Sequence, residues 1–164
     1  MAFQSQTGRG RPRGGPRRDR PDDGFEQRVV ELARVTRVMA GGKRMRFRAL
    51  VVIGDRKGQV GYGLAKGADV SLAISKATTQ ARRDLIKILL KKDTLPYEIK
   101  IKNKSAVVLL KPAPVGTGII AGGPVRIVLE MAGVPNVVAK ILGSANKINN
   151  VRAVFAALIS MKIR

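Results

Sequence analysis

The sequence predicts an α+β chain of two small units, each an antiparallel hairpin sheet covered by helix, behind a basic amino-terminal tail. Three observations carry this. Apolar residues alternate at the two-residue strand period through the stretch GKRMRFRALVVIGDRKGQVGYG at 42–63; a three- and four-residue helical period starts at Asp69; and a second hairpin near Leu95 is followed by two more helical patterns. Each unit spans under about 75 residues, near the lower limit for an isolated core, so the two are expected to lean on each other or on a partner.

Residues 1–23 form a Gly/Pro/Arg tail in which Arg9, Arg11, Arg13, Arg17, Arg18 and Arg20 alternate with glycine and proline. Too little apolar surface is present for it to fold alone, and the spacing suits a flexible arm that orders on RNA. The first unit is expected over 24–92. From Phe25 to about Val38, valines and Leu32 suggest an extended edge segment, and Ala40, Gly41, Gly42 and Lys43 turn it into the next strand. There Met45, Phe47, Ala49, Val51 and Ile53 fall on a core face, while Arg44, Arg46 and Arg48 fall on a face that can meet phosphates. Asp55, Arg56, Lys57 and Gly58 make the following turn, with Gly58 able to take a positive φ and Arg56 and Lys57 as candidate RNA contacts, so three antiparallel strands result. Asp69 to Leu90 reads as one helix: Val70, Ile74, Ala77, Ala81, Leu85, Ile88 and Leu89 share a face, and Asp69 or Ser71 serves as cap.

The second unit is expected over 95–164. Tyr97, Ile99 and Ile101 alternate with Glu98, Lys100 and Lys102, and Asn103 to Ser105 turn the chain into the apolar strand 106–110. A glycine-rich stretch follows from Val115. Pro124 suits the first turn of a helix with Val125, Val128, Leu129 and Ala132 inward, ended by Gly133. After a short strand over 137–142, a last helix turns Ile148, Val151, Phe155, Leu158 and Ile159 inward.

Charge bounds the function. Lys+Arg number 32 against 11 Asp+Glu, a net +21 on 164 residues, which points to a polyanionic partner. No apolar run approaches the roughly 20 residues of a membrane span, and the amino terminus has no signal-like apolar core, so a cytoplasmic nucleic-acid partner is favoured over a membrane. Cysteine and histidine are both absent, which removes thiolate and imidazole chemistry and the commonest metal ligands. The carboxylates are scattered rather than convergent. Neither an enzyme, a metal site nor a cofactor is expected.

Two glycine runs invite phosphate-binding readings. Gly61, Gly63 and Gly67 with Lys66 fail the spacing of both nucleotide motifs, leaving a backbone-lined anion site with Lys66 beside it. Gly116, Gly118, Gly122 and Gly123 suit either an anion or close packing against a neighbouring protein, with Arg126 one turn into the helix able to grip a carboxylate or phosphate. Asn146 and Arg152 flank the last helix start, the first as a cap or a contact, the second as a partner contact. Aromatics are 4% of the chain, which favours shape and phosphate recognition of folded RNA over base stacking. Composition alone also fits a free-standing double-stranded RNA-binding regulator.

The segments GKRMRFRALVVIGDRKGQVGYG, KATTQARRDL, KPAPVGTGIIAGGPVRIVLEMAGV and KILGSANKINNVRAVFAAL, in that order, resemble bacterial small-subunit ribosomal protein five over about Phe25 to Leu158. The resemblance implies a first domain like a double-stranded-RNA-binding fold and a second domain whose sheet is backed by two helices. It implies a place in the small subunit near the mRNA channel mouth and the decoding neck. Residues Arg37, Gly41, Gly42, Lys43 and Arg44 would then meet small-subunit rRNA in a loop linked to spectinomycin sensitivity. Gly118 and Arg126 would lie at the contact with small-subunit protein four, where changes loosen accuracy, and the second domain would meet protein eight. Tyr97, Ile101, Asn103 and Lys104 replace the histidine, glycine, aromatic and glycine of many relatives. The chain ends at Arg164, where many relatives continue, which puts any partner surface on that extension in doubt.

Overall fold

A computed structural model of the chain describes residues 24–91 and 93–161; the tail arginines Arg9, Arg11, Arg13, Arg17, Arg18 and Arg20 lie outside the described residues. The first unit runs β1 (Glu26–Met39), β2 (Gly42–Gly54), β3 (Gln59–Gly67), α1 (Val70–Arg83) and β4 (Ile86–Lys87), with sheet order β1-β2-β3-β4. Met39 pairs with Gly42, so Ala40 and Gly41 form a two-residue hairpin turn, and Gly41 takes φ 85° at no steric cost. Asp69 caps α1 by accepting from the Val70 amide at 2.7 Å.

The helix stops seven residues short of the expected Leu90. Asp84 leaves helical geometry, Ile86 pairs with Val60, and Ile88 is buried with its amide donating to the Gly58 carbonyl at 2.7 Å. The apolar residues Leu85, Ile86, Ile88 and Leu89 around Lys87 fit a helical stripe and a strand alternation equally well. The open edge of β3 decides, because it offers backbone partners to β-branched Ile86. The expected three-stranded sheet is therefore extended by a two-residue fourth strand.

The second unit runs β5 (Ile99–Asn103), β6 (Ala106–Pro112), β7 (Ile119–Ile120), α2 (Gly123–Ala132), β8 (Val137–Ile141) and α3 (Lys147–Ser160), in sheet order β5-β6-β8-β7 with β7 parallel to β8. Gly133 closes α2 in the left-handed region at φ 75°, and the Asn146 side chain caps α3 by accepting from the Ile148 amide at 3.0 Å. Ile159 departs from expectation: it is 63% exposed, while Ala153, Val154 and Ala157 join Val151, Phe155 and Leu158 in the core. The buried face of α3 is thus wider than one stripe.

The two units share one core. Ala49, Val51 and Ile53 of β2 pack under α1, whereas Leu50, Val52, Val60 and Ile88 enter the same cluster as Leu110, Val128, Leu129, Met131, Val154 and Phe155 of the second unit. The Tyr62 and Phe155 rings meet at 4.6 Å between centroids. Burial of each large aliphatic side chain is worth about 1.5–3 kcal/mol, so parting the units would cost several such side chains. Backbone bonds add to this: the Arg56 amide donates to the Met131 carbonyl at 3.1 Å and the Gly58 amide to the Ala132 carbonyl at 3.0 Å. Neither small sheet needs to be stable alone.

Candidate nucleic-acid interface

One face of the first sheet is divided in two. Running along β2, Leu50 and Val52 are covered by the second unit, whereas Arg44 and Arg46 stand in solvent where the hairpin projects past the core. Arg48 sits at the boundary, partly buried and 3.7 Å from Glu31, so the phosphate-ready face expected for the whole arginine row narrows to its first half. Met45, expected in the core, is 52% exposed for the same reason: the helix-covered core begins at Phe47.

The exposed half forms a concave basic patch lined by Arg37, Arg44, Arg46 and Lys66, with Val35, Thr36 and Met39. Register builds it: Arg37 lies opposite Arg44, Val35 opposite Arg46, Val38 opposite Lys43, and Lys66 opposite Arg48. Like charges placed directly across a sheet repel, and neither Arg37 nor Arg44 forms an ion pair with a described residue. A bound polyanion would relieve that repulsion. Gly41 in the turn and Gly42 at the start of β2 lie beneath these cations, with open space where side chains would stand.

Lys66 belongs to this patch rather than to the glycine-lined anion site expected around it. A Cβ on Gly61, Gly63 or Gly67 would collide with α1 backbone at Ala81, Ala77 or Ala73, so the helix itself fills the space reserved for phosphate. The helix start is also occupied: Asp69 accepts from the Ser71 hydroxyl and from the Val70 amide, which together hold its carboxyl below the usual range. An anion there would face a carboxylate.

Other predicted residues lie elsewhere. Arg56 and Lys57 occupy the turn at the far end of β2, about 40 Å from the hairpin tip for 13 residues at strand rise. Arg56 donates to Glu26 at 2.7 Å, and its backbone is docked on α2. Asn146 spends its side-chain oxygen on the α3 cap, and Arg152 is half-buried on that helix.

The second glycine run is organised by a residue that the sequence pattern did not single out. Buried Asn136 accepts from the amides of Gly116 at 3.0 Å and Gly118 at 3.2 Å, so these donors already serve the fold. Gly116 and Gly118 have φ 94° and 71° with open space around them, whereas a Cβ on Gly122 would press on the Ile141 side chain and Gly123 begins α2. Arg126 donates to the Ile119 carbonyl at 3.1 Å and lies 3.4 Å from Glu130, whose other oxygen is 3.3 Å from Arg28 of β1. The lone amide of Asn136 between Val134 and the valines at 137 and 138 was the available signal. Among the described residues no three carboxylates gather to hold a metal, and no helix is long and apolar enough to cross a membrane.

A strongly cationic surface on a braced two-unit α+β frame has the character of a polyanion-binding protein. Residues 25–89 match the family Ribosomal protein S5, N-terminal domain, and residues 101–163 match Ribosomal protein S5, C-terminal domain. The chain is 51% identical over 139 residues to "Small ribosomal subunit protein uS5" of Lawsonia intracellularis, covering 85% of each chain. It is 49% identical to the protein of that name from Persephonella marina, covering 84% of this chain and 72% of that one. With "Small ribosomal subunit protein uS5c" of Spinacia oleracea the identity is 52%, over 85% of this chain and 46% of that longer one. The chain belongs to the ribosomal protein S5 family, non-enzymatic structural proteins of the small ribosomal subunit.

Proposed function

We propose that this chain fixes small-subunit rRNA with its β1–β2 hairpin and uses its second unit to meet neighbouring ribosomal proteins, thereby setting how easily the subunit changes shape during decoding in the cytoplasm. The observation that carries this is the patch of Arg37, Arg44, Arg46 and Lys66, cantilevered beyond the shared core and free of carboxylate partners among the described residues. Lys43 and the turn at Gly41 extend it toward the tip, and the tail arginines add a second hold. Recognition is by phosphate position, because the patch contains no aromatic ring for base stacking.

The loop of Gly116 and Gly118, held by Asn136, together with Gly122, Gly123 and Arg126, offers a shaped, side-chain-poor surface for small-subunit protein four. A second contact of this unit with protein eight, and basic residues beside incoming mRNA, complete the reading. Accuracy would follow from position: a change at Gly118 or Arg126 alters how firmly the subunit's neighbouring parts are held. Changing Lys43 and Arg44 to alanine should weaken rRNA protection at this loop in reconstituted subunits, while unchanged protection refutes the assignment. A free-standing regulator would leave the particle on sedimentation in moderate salt, whereas this chain should remain with it.

A further inference from the structure

The second sheet has a face that no other element of the described residues covers. Its other face, with Val108, Leu110, Val137 and Ala139, is sealed by α2 and α3. On the open face, register places Lys102 beside Val107, which in turn lies beside Leu142 through the Leu142 amide bonding the Val107 carbonyl. The next row is Lys100, Leu109 and Lys140. The neighbouring row holds Lys111, paired with Glu98 at 3.2 Å. Lys100, Lys102 and Lys140 form no ion pair with a described residue, and a shallow depression opens between Lys100, Lys102, Val107 and Leu142.

We propose that this face binds a second segment of RNA, along β6, with Lys100 and Lys102 on one bank and Lys140 on the other. Strands lie about 4.8 Å apart, so Lys100 and Lys140 flank Leu109 at a separation of about 10 Å, a gap that flexible lysine side chains can bridge to reach one sugar-phosphate chain. The aliphatic floor of Val107, Leu109 and Leu142 supports lysine stems and ribose without demanding a base identity. An acidic protein is the competing occupant, but lysine is depleted in protein interfaces, whereas unpaired point charges in rows suit phosphates. The one carboxylate in this patch, Glu98, is already spent on Lys111. The second unit then holds RNA on its open sheet as well as meeting protein through its glycine loop.

This inference rests on the proposed role in rRNA binding, and its test separates the two. The full chain is titrated with transcribed small-subunit rRNA, free of other proteins, across a salt series. The Lys100→Gln/Lys102→Gln/Lys140→Gln variant should flatten the slope of log affinity against log salt by about 2 to 3, at roughly 0.7–0.9 for each phosphate no longer neutralised. Acylation of Lys100, Lys102 and Lys140 in the wild-type complex should fall together with that of Lys43. If a Lys43→Gln/Arg44→Gln variant flattens the slope and the triple variant does not, the second RNA face is refuted while the hairpin role stands. If neither variant changes the slope, both fall. Lysines 100, 102 and 140 that stay reactive with rRNA but become shielded when other small-subunit proteins are added would refute the RNA face in favour of a protein.

Discussion

Replacing Gly133 by alanine tests whether the two units are locked at the Asp55–Gly58 turn. Gly133 sits at φ 75°, and a Cβ there would meet the Arg56 carbonyl, a backbone group that cannot swing aside. The left-handed conformation alone costs a non-glycine residue about 1–2 kcal/mol. Relieving the collision requires the turn to lift off α2, straining the bonds from Arg56 to Met131 and from Gly58 to Ala132. Each such bond contributes about 0.5–1.5 kcal/mol, so the whole loss should reach about 2–5 kcal/mol. Gly41 provides the control, because its φ is 85° but open space surrounds it, and Gly41→Ala should show only the conformational cost of about 1–2 kcal/mol. Urea unfolding followed by circular dichroism measures both. Equal losses for Gly133→Ala and Gly41→Ala would refute the lock.

Asn136→Ala removes the acceptor for the Gly116 and Gly118 amides; amide exchange at both should accelerate and stability should fall by about 1–3 kcal/mol, while protected amides in the variant would show that the loop holds itself. Asp69 has a folded pKa below its ordinary 3.8, so its contribution to α1 is present above that value and is lost as pH falls through the depressed folded value. An NMR titration should show the Asp69 carboxyl and the Val70 amide shifting together, and Asp69→Asn should flatten the acid limb of the stability profile; an unchanged limb would count against the cap.

The hairpin was legible because its alternation leaves one solution: Ala49, Val51 and Ile53 cannot face α1 unless Arg44 and Arg46 face away. What the alternation could not say is what lies over the opposite face. Leu50 and Val52 share that face with the arginines, and two apolar residues in line with three cations were the mark of a surface half covered and half open. The glycine run misled for a related reason. Close approach of phosphate and close approach of a helix both require a missing side chain, and only the partner distinguishes them. That partner was in the sequence as Ala73, Ala77 and Ala81, a four-residue ladder of small side chains matched to Gly67, Gly63 and Gly61. Residues 85–89 remained ambiguous because a short apolar stripe satisfies either period until an unpaired strand edge selects one.

A surplus of 21 positive charges makes a shared core more than a convenience. Two separate small domains, each cationic, would repel each other and would each be marginally stable. Fusing them through Leu50, Val52 and Val60 removes their freedom to part, while Glu130 sets one carboxylate between Arg28 of the first unit and Arg126 of the second. The consequence is mechanical. The basic hairpin and the Asn136-held glycine loop belong to one braced frame, so under the proposed function whatever holds RNA at one end would also position the loop proposed to face protein at the other. A frame of this kind transmits a displacement instead of absorbing it, and a loosened junction should therefore degrade decoding accuracy even when every RNA-facing cation is left in place.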